Sequence, residues 1–142
     1  MSRPRMSRTV SHLVHKTDFL LQRESSHALE PYGVTVYQAM SLIYVADHEE
    51  KRTVNQRALE RYTQLSNPGV TKLVTALEKL GLLERCHDPE DARSYALRTT
   101  EKGRQQCEIF RRIILGADAL VEQKLTGEEV EQLKGLLLKL YS

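Results

Sequence analysis

The chain is short of several things that would have pointed to a function class. Cysteine is scarce: Cys86 and Cys107 are the two in 142 residues. They form no Cys-x-x-Cys pair, so no disulfide framework is expected, and both read as ordinary reduced thiols. A zinc grouping of Cys86, His87 and Cys107 is open in principle, but strand and helix roles are the expected ones. Long apolar runs are missing too. Nothing approaches the ~20 residues that cross a bilayer, so no membrane partner is expected. The basic start (Arg3, Arg5, Arg8) leads into no apolar signal core, which leaves the cytoplasm as the expected location. There is no Gly-rich phosphate loop, no nucleophile elbow, no HExxH and no paired-acid motif. The expectation is therefore a protein that is not an enzyme and uses no cofactor. A dominant charge is lacking as well. Lysine and arginine number 21 against 19 aspartate and glutamate, a net +2. Between Thr53 and Thr100 the balance is seven to six. Bulk electrostatics thus does not announce a nucleic-acid partner, and any such reading rests on local geometry.

What is present is a regular pattern of helices. Hydrophobic residues make up 40% and charged residues 28%, enough for a core and a solvated surface. Val10, Leu13, Val14, Thr17, Leu20 and Leu21 recur at three and four, predicting a helix over 9–29 that Pro31 and Gly33 break. Thr35 is placed to cap a second helix running to about His48, with Tyr37, Met40, Ile43 and Tyr44 on its inner side. Asp47 to Arg52 reads as a solvated connection. Thr53 is the next cap candidate, opening a short helix with Val54, Ala58, Leu59 and Tyr62. Ser66 then caps another helix, with Pro68 in its first turn, where a missing N–H costs nothing. Val70, Leu73, Val74, Leu77 and Leu80 form its buried stripe, and Gly81 fits a left-handed end. Two helices joined this tightly make a helix-turn-helix.

The period then changes. Residues 82–86 and 94–98 read as two short strands around the turn-rich segment 87–93, a β-hairpin. Thr99 or Thr100 caps a long helix whose apolar face includes Ile109, Phe110, Ile113, Ile114 and Leu120. Thr126 and Glu129 form a capping box for the last helix, which carries Val130, Leu133, Leu136, Leu137, Leu140 and Tyr141. The terminal helices are more apolar than a surface coat requires. They are expected to bury one another across a two-fold axis, because left alone they would expose large apolar patches.

The run from Leu65 to Val74, followed by Leu77 to Arg85, resembles the recognition helix of the MarR (multiple antibiotic resistance regulator) family and its exit into the wing. Asp88-Pro89-Glu90-Asp91-Ala92-Arg93 and Thr100-Glu101-Lys102-Gly103 resemble the family's wing and the entry to its long dimerisation helix. Order and spacing match from about Val34 to Arg104. The resemblance implies a mainly α fold with a small β-wing. This is a winged helix-turn-helix at 35–100 between an N-terminal dimerisation helix at 1–34 and C-terminal dimerisation helices at 101–142. It implies a homodimer that binds double-stranded, pseudo-palindromic operator DNA as a transcriptional regulator, most simply a repressor. It also implies release by a small anionic or phenolic effector.

The residues that would do this follow from the recognition helix. Its N-terminus offers N–H groups to phosphate near Ser66 and Asn67. Thr71 and Lys72 project from the face opposite Val70, Leu73 and Val74 and can meet base edges or phosphate. Thr75, one turn on, can touch the backbone. Pro68 and Gly69 depart from the family pattern, where small hydroxyl residues are common. Gly69 would let backbone approach DNA closely, at roughly 1 kcal/mol of helix propensity. At the wing, Arg93 resembles the family's minor-groove arginine and Asp91 the acid that positions it. Alone, that pair would read as an exposed turn pair worth ~0–1 kcal/mol. His12 and His15, at i and i+3, have a metal-compatible spacing, but nothing in sequence completes a site. The redox-sensing branch of the family carries its cysteine in the N-terminal helical region, and this chain has none there. Tyr37, Met40 and Tyr44 are candidates for an effector cleft, with core packing the simpler role. Two other readings stay open: a winged-helix protein-interaction module without DNA readout, and a metal sensor built on the N-terminal histidines.

Overall fold

The computed structural model describes residues 2, 3 and 5–141. It divides into two compact units, one of residues 29–112 and one of residues 1–28 with 113–142. Helix α1 spans Val10–Leu29. Thr9 starts it, its Oγ1 accepting the His12 N–H at 3.2 Å. It stops where Pro31 enters a short 3-10 turn and Gly33 adopts φ 70°.

The unit of residues 29–112 begins with α2, Val36–His48, capped as expected by Thr35 in a reciprocal box with Gln38. Its buried face is Ala39, Leu42 and Val45, packed against later elements of the same unit. The expected inner face needs correction. Tyr37 is 46% exposed, and Met40, Ile43 and Tyr44 are half-buried. The helix approaches its neighbours through small and medium side chains, so the large ones fall to its flanks.

Helix α3 is Gln56–Thr63, capped by Asn55, whose side chain accepts the Ala58 N–H at 3.0 Å. Thr53 is not the cap. The backbone ahead of the helix is extended: the Val54 carbonyl accepts the Leu97 N–H at 2.7 Å, and Asn55 bridges Ala96. That pairing delays the first turn by two residues. A turn with Gln64 at φ 62° leads into α4, Asn67–Lys79, capped by Ser66 with Pro68 in its first turn.

The end of α4 uses local hydrogen bonds fully. Gly81 takes φ 72° and donates to the Glu78 carbonyl, while Leu82 donates to that of Leu77 at 3.0 Å. This is a Schellman end, sealed by the buried Leu77 and Leu82. Because Leu82 serves the cap, strand β1 starts one residue later than expected, at Leu83–His87, and pairs antiparallel with β2, Tyr95–Thr99.

Helix α5, Glu101–Glu122, begins on that same cap. Thr100 Oγ1 donates to the Gly81 carbonyl at 2.6 Å and accepts the Gly103 N–H at 2.9 Å. The Thr100 N–H reaches Leu82 O, and Lys102 Nζ reaches Leu80 O at 2.8 Å. Gly103 lies so close that a Cβ there would stand 2.0 Å from the Leu82 oxygen.

The stretch 47–52 is not simply solvated. Glu49 is buried, its side chain 4% exposed. Its Oε2 accepts the Thr99 hydroxyl at 2.6 Å and the Thr99 N–H at 3.3 Å. Arg98 lies 3.9 Å from Oε1, which has no hydrogen bond.

In the other unit, α6 spans Gly127–Lys139 and is opened by the expected box of Thr126 and Glu129. Val130 and Ala117 are buried there. Much of the apolar surface is not: Val10, Leu13 and Phe19 on α1 and Leu136, Leu138, Leu140 and Tyr141 at the C-terminal end are half or more exposed. No helix among the described residues is long and apolar enough to cross a membrane.

Candidate nucleic-acid interface

The residues expected to read DNA all lie within the unit of residues 29–112. The buried stripe of α4 is Val70, Leu73, Val74 and Leu77, which turns Thr71 and Lys72 outward; both are exposed. The N-terminus of α4 offers less to phosphate than a free helix end would. Pro68 has no N–H, and Ser66 Oγ accepts that of Gly69 at 3.4 Å. Only the Asn67 N–H is left over from the first turn.

Gln56, in the first turn of α3, is a residue that sequence reasoning missed. Its amide donates to Thr71 Oγ1 at 2.8 Å and to the Asn67 carbonyl at 3.3 Å. Thr71 Oγ1 in turn donates to Asn67 O at 3.0 Å. The Gln56 amide nitrogen thereby ties α4 to α3. Gln56 lies eleven positions from Asn67 and fifteen from Thr71, and nothing in the sequence signals that they meet. Thr75 is engaged as well, accepting from Arg85 at the outer limit of 3.5 Å. Arg85 also pairs with Glu78 at 3.0 Å and lies over the Tyr95 ring.

An open cleft of about 450 Å³ lies beside this helix, lined by Asn55, Gln56, Arg57, Asn67, Arg85, Asp91 and Arg93 among others. Three arginines meet one carboxylate there, a local imbalance that the regional charge of the sequence conceals. Among the described residues, the side chains of Arg57, Lys72 and Arg93 have no hydrogen bond or ion pair. Gly69 is not crowded: a Cβ there would meet Leu65 at 3.4 Å and Ser66 at 3.5 Å.

The wing tip is organised by two aspartates with different jobs. Asp91 accepts the Arg93 backbone N–H at 2.9 Å, so it shapes the turn that presents Arg93 and does not pair with the guanidinium. Asp88 is 3% exposed and accepts the Glu90 N–H at 2.9 Å and the Ser94 hydroxyl at 2.8 Å. Those bonds, the Glu90 N–H foremost, hold its carboxyl below the usual aspartate range. Its burial was not foreseen.

The other candidates sit elsewhere. Cys86 and Cys107 are free thiols; Cys107 is buried, which pushes its pKa up to about 11. His12 and His15 line an open hollow along α1 with Asp18, Phe19 and Arg23. Among the described residues no three His, Cys, Asp or Glu gather as a metal site. Tyr44 stacks on Tyr62 at 4.5 Å and on His48 at 4.1 Å, so it is a half-buried aromatic contact and not core. Burial, with Asp47 nearby, raises the Tyr62 pKa.

A capped helix pair, an antiparallel wing and a long helix hooked to the recognition helix define the class: a winged helix-turn-helix protein. A MarR family model matches residues 32–94. The chain is 26% identical to Staphylococcus aureus MepR in its DNA complex, with a TM-score of 0.84 over 94% of this chain and 96% of that one. It is 24% identical to the HTH-type transcriptional repressor Mb2911 of Mycobacterium bovis, over 94% of each chain. It is 35% identical to the HTH-type transcriptional regulator YdcH of Bacillus subtilis, over 58% of this chain and 56% of that one. Over residues 32–94 the chain is similar to the MarR family.

Proposed function

We propose that the chain is a transcriptional regulator, a repressor in its simplest form, which binds pseudo-palindromic operator DNA as a homodimer in the cytoplasm and is not an enzyme. The observation that carries this is the convergence of the exposed face of α4 with the arginine-rich cleft under the wing. Lys72 and Thr71 face the major groove. Arg93 enters the minor groove from a tip shaped by Asp91 and held from inside by Asp88. Arg57, with Ser66 and the free N–H of Asn67, meets phosphate, Gly69 leaves room for the backbone to come close, and Thr75 positions Arg85 at the rim. The likeness to MepR in complex with DNA and to a named repressor supports the same assignment.

The dimer is supported by the other unit. Phe19 at 69%, Leu138 at 68% and Leu140 at 69% exposure leave an apolar surface that a second copy would cover. A small anionic or phenolic effector, which the resemblance to the MarR family implies, would be recognised by its release of bound DNA.

The test is a selection of bound sequences from random DNA, followed by titration of the enriched operator at several salt concentrations. The expected result is a two-fold site with half-sites about one helical turn apart. Lys72→Ala and Arg93→Ala are each expected to weaken binding by about tenfold. Each lost phosphate contact should flatten the slope of log K against log salt by about 0.9. Operator affinity unchanged in both variants would remove this surface from the reading.

A further inference from the structure

We propose that Thr71 reads the operator through its methyl group and not its hydroxyl, and that the base it selects is thymine, met in the major groove. This rests on the DNA-binding reading above and adds the identity of a base.

The inference follows from where the hydroxyl is already committed. Its hydrogen goes to the Asn67 carbonyl at 3.0 Å, and the Gln56 amide occupies a lone pair at 2.8 Å. The hydroxyl therefore has no donor to offer a base and is drawn back towards the helix junction. Thr71 is nonetheless exposed, on the face that α4 turns away from its buried stripe. With the hydrogen and one of the two lone pairs engaged and the oxygen drawn back, the methyl is the group of this side chain that has no partner at all. Of the four bases, only thymine presents a methyl to the major groove, and threonine methyl is among the groups that meet it by apolar contact. The neighbouring positions reinforce this. Pro68, Gly69 and Val70 carry no polar side chain, so between Asn67 and Thr71 this helix offers a base no side-chain hydrogen bond. Gln56 is then a positioning residue: it sets which face of Thr71 is shown.

The experiment replaces each thymine of the selected operator, one at a time and symmetrically, with deoxyuridine, which lacks only the 5-methyl group. For the wild-type protein, one symmetric pair of positions should lower affinity by about fourfold per half-site, the size of one methyl taken out of water. Thr71→Val keeps a methyl and drops the hydroxyl; it should retain the preference for thymine over deoxyuridine at that pair. Thr71→Ser keeps the hydroxyl and drops the methyl; it should bind both operators equally. The readout is a ratio within each protein, so a uniform loss of affinity in a variant cancels, and the wild-type arm needs no variant to fold. Contacts by Arg93 in the minor groove do not sense this methyl. A wild-type protein that binds the selected operator but tolerates every deoxyuridine overturns the inference alone. So does a preference kept by Thr71→Ser and lost by Thr71→Val. Failure to enrich any sequence overturns the DNA-binding reading, and this inference with it.

Discussion

Gly69 is a residue whose value lies outside the fold. Its φ is not left-handed and its surroundings would accept a methyl at van der Waals distance. Gly69→Ala should therefore stabilise the free protein by up to about 1 kcal/mol through helix propensity. If backbone approaches DNA at this point, the same change should weaken operator binding, so thermal melts and DNA titrations should move in opposite directions. Asp88 behaves otherwise. Its carboxyl is held below its ordinary range in the folded wing, so its stabilising effect is complete above the unfolded value, roughly 4. That effect disappears as pH falls through the lower folded value. Unfolding followed against pH should show Asp88→Asn less stable than wild type near neutrality, with the gap closing in acid. At this scale the sequence was legible where a residue acts on its own neighbours. Ser66, Thr35, Thr126 and Gly81 take the expected roles because caps are local. Gln56, Glu49 and Asp88 were not legible, since each is defined by a partner or a burial that only the folded chain supplies.

Among elements, the joint between α4, the wing and α5 is the most tightly specified. Residues 80–82 end one helix and receive Thr100, Lys102 and Gly103 of the next. Gly103→Ala forces a Cβ into the Leu82 carbonyl and should cost about 1–3 kcal/mol or more, as overpacking does. Chemical denaturation would read this directly. The one-residue shift of both strands and the later start of α3 have a common origin. Backbone groups of Val54, Leu82 and Thr100 are claimed by long-range partners, and periodicity in a single segment does not register such claims. Element type was readable from the hydrophobic repeat; element ends were readable only where a cap sets them.

For the whole molecule, the apolar surface of the terminal helices is the strongest claim on a second copy. Changing Leu138 and Leu140 together to Asp should leave the winged-helix unit folded, because both side chains are exposed. Sedimentation should then show a monomer. Operator affinity should fall by about 100-fold, because the two half-sites would no longer be engaged by linked units. A dimer that survives this change would place the two-fold contact elsewhere. The expectation of DNA binding depended on the order of helix, helix and wing, because the net charge of +2 says nothing of it. The arginine-lined cleft supplies in three dimensions the positive surface that the linear count lacks.

The clamp of Gln56 on Asn67 and Thr71 has a kinetic consequence. These three residues are joined in the free chain, before any ligand arrives. A collision in the right orientation would thus meet a reading edge whose Gln56, Asn67 and Thr71 are already joined. On the proposed function, search along DNA would then be governed by diffusion and salt, and the lifetime of the complex by how well the encountered bases match this pre-joined edge.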